Sequence, residues 1–102
     1  AITAVSGSGP AYVFLLAEAM IQGAIDAGLD QETANTLVRQ TIKGAAAMLS
    51  QDNRSATAMR EAVTSKGGTT AAAIESMQSN KVSESIARGV VAARNRGREL
   101  GE

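Results

Sequence analysis

Pro10-Ala11-Tyr12-Val13-Phe14-Leu15-Leu16-Ala17-Glu18-Ala19-Met20-Ile21-Gln22-Gly23-Ala24-Ile25-Asp26-Ala27-Gly28 is apolar around almost its whole circumference, and its polar exceptions Glu18, Gln22 and Asp26 recur every four residues as one thin stripe. That spacing predicts a helix, and a helix apolar on most sides must be covered on most sides. Ser8 or Gly9 is expected to cap it, with Pro10 in a first turn where a missing N–H costs nothing, and Gly28 to end it. A chain of 102 residues fits one domain that buries only about 60 to 65 % of its unfolded surface. The covering surface is therefore expected from a second copy, in an intertwined homodimer. A bilayer is the other cover such a helix could take. Only the eight residues Pro10 to Ala17 precede the first charge, against the roughly 20 that a bilayer core needs, so no membrane partner is expected.

Composition points the same way. Twenty of the 45 hydrophobic residues are alanine, so close approach of backbones must supply contact that bulky side chains would otherwise provide. Ten basic and ten acidic residues cancel, which removes the long-range field that a nucleic-acid or anionic-membrane binder usually carries. With no cysteine and no histidine, disulfides, thiolate nucleophiles, the common zinc sites and imidazole acid–base chemistry are excluded, and no metal site is expected. Zero cysteine without a signal peptide fits a cytoplasmic protein. The start at Ala1-Ile2-Thr3-Ala4-Val5, without an initiator methionine and running into glycines, reads as a piece of a longer polypeptide.

Helical spacing continues beyond Gly28. Asp30 is expected to cap a second helix whose apolar face is Ala34, Leu37, Val38, Thr41, Ile42, Ala45, Met48 and Leu49, running to about Ser50. Gly44 with Ala45 to Ala47 marks a place for a neighbouring helix. Residues 52–55 read as a loop, Ser55 starts a short helix to Val63, and a further helix runs from Thr70 to about Ser79. Asn80 and Lys81 interrupt it. The last segment, Val82 to Leu100, carries Val82, Ile86, Val90 and Ala93 on one side. No stretch alternates as a strand does, so the fold is expected to be all-α, a helical bundle of about five helices in one domain, residues 1–102.

Between the third and fourth helices lies Val63-Thr64-Ser65-Lys66-Gly67-Gly68-Thr69-Thr70, which combines hydroxyls, flexible backbone and a helix start. The two glycines let the main chain turn tightly and approach a ligand, and the first free N–H groups of the helix direct the positive end of its dipole at a carboxylate or phosphate. The same residues also read as an ordinary capped helix, with Thr69 or Thr70 as N-cap.

Three other features carry less chemistry. Ser6-Gly7-Ser8-Gly9-Pro10 lacks the third glycine of a dinucleotide loop, since Tyr12 stands there, and no strand precedes it. It reads as a tight junction whose glycines let another segment pass. Arg94-Asn95-Arg96-Gly97-Arg98 sits where cations complement a helix C-terminus, and one tyrosine and one phenylalanine give almost no stacking platform, so no nucleic acid is expected. Met20, Met48, Met59 and Met77 are core filler.

The two motifs Ser6-Gly7-Ser8-Gly9-Pro10-Ala11-Tyr12 and Val63-Thr64-Ser65-Lys66-Gly67-Gly68-Thr69-Thr70, in this order and spacing, resemble the C-terminal region of Δ1-pyrroline-5-carboxylate reductases. Gly28-Leu29, Lys43-Gly44-Ala45-Ala46-Ala47-Met48 and Arg98-Glu99-Leu100 extend the resemblance over the whole chain. It implies an enzyme that reduces 1-pyrroline-5-carboxylate to L-proline with NAD(P)H. An N-terminal Rossmann domain, absent from this chain, would hold the cofactor. The helical domain would interlock with its twin in a homodimer or higher homo-oligomer and form the imino-acid pocket. Carried over position by position, the resemblance makes Ser65 a hydroxyl donor to the substrate carboxylate, with the N–H groups of Gly67, Gly68, Thr69 and Thr70 completing the cradle. Thr70 takes the catalytic role: its hydroxyl would lie by the ring nitrogen and polarise it, or relay a proton from water, as hydride arrives. Lys66 replaces the proline common in the family, loosening the loop and adding a cation. No cofactor is expected on this chain alone, and no turnover. Two rivals from other classes are a purely structural helical dimerisation module without a ligand site and a helical nucleic-acid binder.

Overall fold

The computed structural model describes residues 1–101, and among them five α-helices and one π-helical turn account for the ordered backbone, with no strand. The all-α expectation holds. The chain divides into two compact units, Gly9–Asn53 and Ala1–Ser8 together with Arg54 onward.

The first unit is a helical hairpin of α1 (Gly9–Asp26) and α2 (Gln31–Gln51). Gly28 ends α1 at φ +114°, a conformation that favours glycine, and the amide of Leu29 reaches back to the carbonyl of Ala24 at 3.1 Å. Asp30 opens α2 as anticipated. Its carboxylate accepts from the amide of Thr33 at 2.8 Å, and that bond holds its pKa below the usual aspartate range. Ala34 and Val38 of α2 are buried, the inner positions of the face predicted for this helix.

The second unit holds α3 (Ala56–Ala62), α4 (Thr69–Ser79) and α5 (Val82–Glu99), with the π-helical turn Thr3–Gly7 packed on α5 and Ala4 buried. Ser55 caps α3 by accepting from the amide of Ala58 at 3.0 Å. Lys81 joins α4 to α5 at φ +65°, the left-handed region where a side chain is strained. Val90 and Ala93 are half-buried, whereas Val82 and Ile86 on the same predicted stripe are exposed.

Several local expectations are corrected. The Ser6–Pro10 pentad is not a capped turn: the chain is already helical from Thr3, so neither Ser8 nor Gly9 caps α1. Within this chain no other segment passes its glycines. A Cβ on Gly9 would meet nothing within 4 Å, and one on Gly7 only Thr3 of its own turn. Gly44 is similarly open. At α4 the N-cap is Gly68, with no side-chain cap bond, and Thr69 is already the first helical residue.

Helix α1, whose cover is expected from a second copy, buries no residue within the chain, and Phe14 and Leu15 are each 66 % exposed. Only Ala4, Ala34 and Val38 make up the buried hydrophobic core among the described residues. The apolar helical run begins before Pro10. The run Thr3–Asp26, at 24 residues and a mean hydropathy of 1.3, is long and apolar enough to cross a membrane by length and composition. A single copy lacks the surface to cover this helix.

Candidate functional site

The loop from Val63 to Gly68 is shaped by its own hydrogen bonds. Thr64 donates its hydroxyl to the carbonyl of Arg60 at 2.6 Å and its amide to Glu61 at 3.1 Å, so the last turn of α3 fixes the loop entry. Gly67 then adopts φ +76°, and the amide of Gly68 donates to the carbonyl of Ser65 at 3.0 Å. A tight turn results, and α4 begins directly after it.

The donors left over define the site. The amides of Gly67, Thr69, Thr70 and Ala71 and the hydroxyls of Ser65, Thr69 and Thr70 have no acceptor among the described residues, while the amide of Ala72 is the first to be satisfied, by Gly68 at 3.2 Å. Three adjacent free N–H groups at a helix start carry the positive end of the dipole. Ser65, Lys66, Gly67, Thr69 and Thr70 are all exposed. An oxyanion placed there would receive hydrogen bonds and a favourable field together.

One of the predicted donors is not available. The Gly68 amide is committed to Ser65, so Gly68 contributes shape rather than a hydrogen bond. A Cβ at this position would sit 3.3 Å from the Ser65 carbonyl oxygen, tighter than ordinary contact. Ala71, not anticipated, supplies a free amide in its place. The signal was present in sequence, because the first three N–H groups of any helix start lack intrahelical partners.

Elsewhere, the cationic end of α5 is partly engaged within its own helix. Arg88 pairs with Glu84 at 3.5 Å, Arg96 with Glu99 at 3.0 Å, and Arg94 donates to Asn95 at 3.0 Å. On α1, Gln22 donates to Asp26 at 2.9 Å, which accounts for the far end of the polar stripe. The Ser6–Pro10 segment does not fit a dinucleotide: it runs from the end of the π-helical turn through Ser8 into the first turn of α1, and no strand lies among the described residues to set a phosphate loop at a sheet edge.

An all-helical domain whose long apolar helix is left open belongs to the class of domains completed by association. Residues 1–100 match the family model described as Pyrroline-5-carboxylate reductase dimerisation. The chain belongs to the pyrroline-5-carboxylate reductase family, in its dimerisation domain. It is 42 % identical over 102 residues to pyrroline-5-carboxylate reductase of Arabidopsis thaliana and 46 % identical over 102 residues to that of Pseudomonas aeruginosa, covering 100 % of this chain and 37 % of each relative. The chain thus spans little more than a third of the length of these relatives. Among solved structures, the Plasmodium falciparum pyrroline carboxylate reductase with NADP bound superposes with a TM-score of 0.92 at 34 % identity, covering 99 % of this chain and 40 % of that one. The Coxiella burnetii pyrroline-5-carboxylate reductase gives a TM-score of 0.92 at 44 % identity, with 99 % and 37 % covered.

Proposed function

We propose that this chain is the dimerisation and imino-acid-binding part of an enzyme that reduces 1-pyrroline-5-carboxylate to L-proline with NAD(P)H. The observation that carries the reading is the set of free donors around Ser65, Gly67, Thr69 and Thr70, placed in a chain of this family. The substrate is a small ring bearing one carboxylate. Its carboxylate accepts from the Ser65 hydroxyl and the free amides, each charge-assisted bond contributing about 1.5 to 3 kcal/mol. Fixing the carboxylate orients the ring, which turns its imine carbon toward a hydride donor. Thr70, in the first turn of α4, donates a hydrogen bond toward the ring nitrogen as that atom gains electron density. An alcohol is a weak acid, so Thr70 polarises the nitrogen or passes on a proton from water. NAD(P)H, when bound, supplies the hydride.

The exposed α1 supports the rest of the reading. Two copies associate through this helix, so that protein rather than lipid covers Thr3–Asp26, and the protein is soluble and cytoplasmic. Nucleic acid has no part in it. The site reading is tested in the complete enzyme: Ser65→Ala raises KM for the imino acid by about 10- to 100-fold, equivalent to the loss of one charge-assisted bond, while Thr70→Ala chiefly lowers kcat. Wild-type kinetics in both variants, with the dimer intact, would leave the purely structural dimerisation module as the better description.

A further inference from the structure

We propose that Thr64 is a positioning residue of the imino-acid site: its hydroxyl ties the loop to the last turn of α3 and so holds Ser65 where the serine hydroxyl meets the substrate carboxylate. The proposal rests on the reading of Ser65 as a carboxylate donor and names the residue that keeps that donor in place.

The last carbonyls of a helix have no partner inside it, so what they accept from decides how the chain leaves. At the end of α3 the carbonyl of Arg60 accepts from the amide of Val63 at 3.3 Å, and that of Glu61 from the amide of Thr64 at 3.1 Å. Both bonds are on the long side for N–H donors. The Thr64 hydroxyl donates to the same Arg60 carbonyl at 2.6 Å, a short bond, and Thr64 is half-buried, which limits competition from water. Threonine is also stiff at χ1, so fixing its hydroxyl fixes the backbone that carries it.

Ser65 is the next residue. Its carbonyl accepts from the Gly68 amide at 3.0 Å, a bond internal to the turn that would survive if the turn swung as a body. Among the described residues, Ser65, Lys66 and Gly67 make no hydrogen bond that reaches α3. Thr64 therefore provides the side-chain tie between the turn and α3, while α4 carries the free amides of Thr69, Thr70 and Ala71 on the other side. The carboxylate has to meet the Ser65 hydroxyl and those amides together. Displacing one set against the other weakens the grip and leaves Thr70 in place. The Thr64 proton is already committed to Arg60, so Thr64 acts through Ser65 and not on the carboxylate.

Kinetics of the complete enzyme test it. Thr64→Val keeps the branched shape and exchanges the hydroxyl for a methyl. KM for the imino acid should rise by about three- to tenfold, with kcat and the KM for NAD(P)H within about twofold of wild type. Thr64→Ser, which restores the donor, should bring that KM back to within about twofold. A residue that only caps α3 would lower the melting temperature and leave the imino-acid KM alone. A double-mutant cycle gives the second readout: in a Ser65→Ala background, Thr64→Val should add less than about twofold, because the group it positions is gone. An unchanged KM in Thr64→Val, no recovery in Thr64→Ser, or effects of Thr64→Val and Ser65→Ala that multiply, would each overturn the role of Thr64 and leave the site standing. A Ser65→Ala enzyme with wild-type KM overturns the site reading as well. If sedimentation shows that Thr64→Val does not assemble, Thr64→Ala replaces it with the same expectations, and an unchanged KM there refutes the proposal.

Discussion

The amide of Gly68 donates to the carbonyl of Ser65 at 3.0 Å, and this one bond sets the shape of the anion-ready loop. It folds the chain back by a turn just before α4, leaving the Ser65 hydroxyl and the amides of Thr69, Thr70 and Ala71 without internal acceptors. Gly68 itself sits at φ −89°, ψ −176°, a conformation any residue adopts, so what it provides is space.

Gly68→Ala should therefore keep the fold and impair the site. The new methyl meets the Ser65 carbonyl oxygen at 3.3 Å, and either the carbonyl or the start of α4 must shift by a few tenths of an ångström. The expected outcome is a several-fold rise in KM for the imino acid with thermal stability close to wild type. Gly67→Ala should behave differently, because its Cβ meets nothing while its φ of +76° is strained for alanine, so stability falls by about 1 kcal/mol. Thermal melts and kinetics of both variants check the distinction.

Lys81 at φ +65° carries the reverse of that penalty. Its ion pair with Glu84, at 3.8 Å between side chains 68 % and 55 % exposed, contributes little. Lys81→Gly is expected to stabilise the chain by about 0.5 to 1 kcal/mol, measured by denaturant melts, with Lys81→Ala giving no such gain.

The helix caps give a pH-dependent and a pH-independent test. Ser55→Ala removes the bond to Ala58 and should cost about 1 kcal/mol at any pH between 3 and 8. Asp30→Ala should be costly at neutral pH and lose its effect in acid. The folded pKa of Asp30 lies below its unfolded value, so its contribution is fully present above the unfolded value of about 3.9 and disappears as pH falls through the lower folded one. Paired melts of wild type and Asp30→Ala from pH 7 downward should converge.

How much was legible in the sequence follows from where each signal originates. The caps at Asp30 and Ser55 and the stop at Gly28 are written in local chemistry, and they appear where that chemistry puts them. The loop 63–70 was legible in its residue types but not in its bonding, since nothing local says that Gly68 rather than Thr69 precedes the helix or that its amide is already used. The Ser6–Pro10 segment misled because serine and glycine serve a turn and a π-helical stretch equally well. The thin stripe on α1 predicted its need for cover correctly, yet the cover itself cannot be encoded in one copy when a hairpin buries only Ala34 and Val38.

The arginines of α5 allow a prediction about partners. With Arg88 and Arg96 paired to carboxylates of their own helix and a net charge of zero, binding to duplex DNA or to RNA should be weak, with a shallow dependence on salt. Fluorescence anisotropy from 50 to 200 mM salt reads both quantities. Tight binding with a steep slope would restore the nucleic-acid reading.

The most direct test of the site is an amide-resolved titration of the dimer with L-proline. The resonances of Gly67, Thr69, Thr70 and Ala71 should shift and saturate together, with those of the Asp30 and Ser55 caps unmoved. Unchanged resonances across residues 65–71 at saturating ligand, or shifts confined to another part of the chain, would contradict the account.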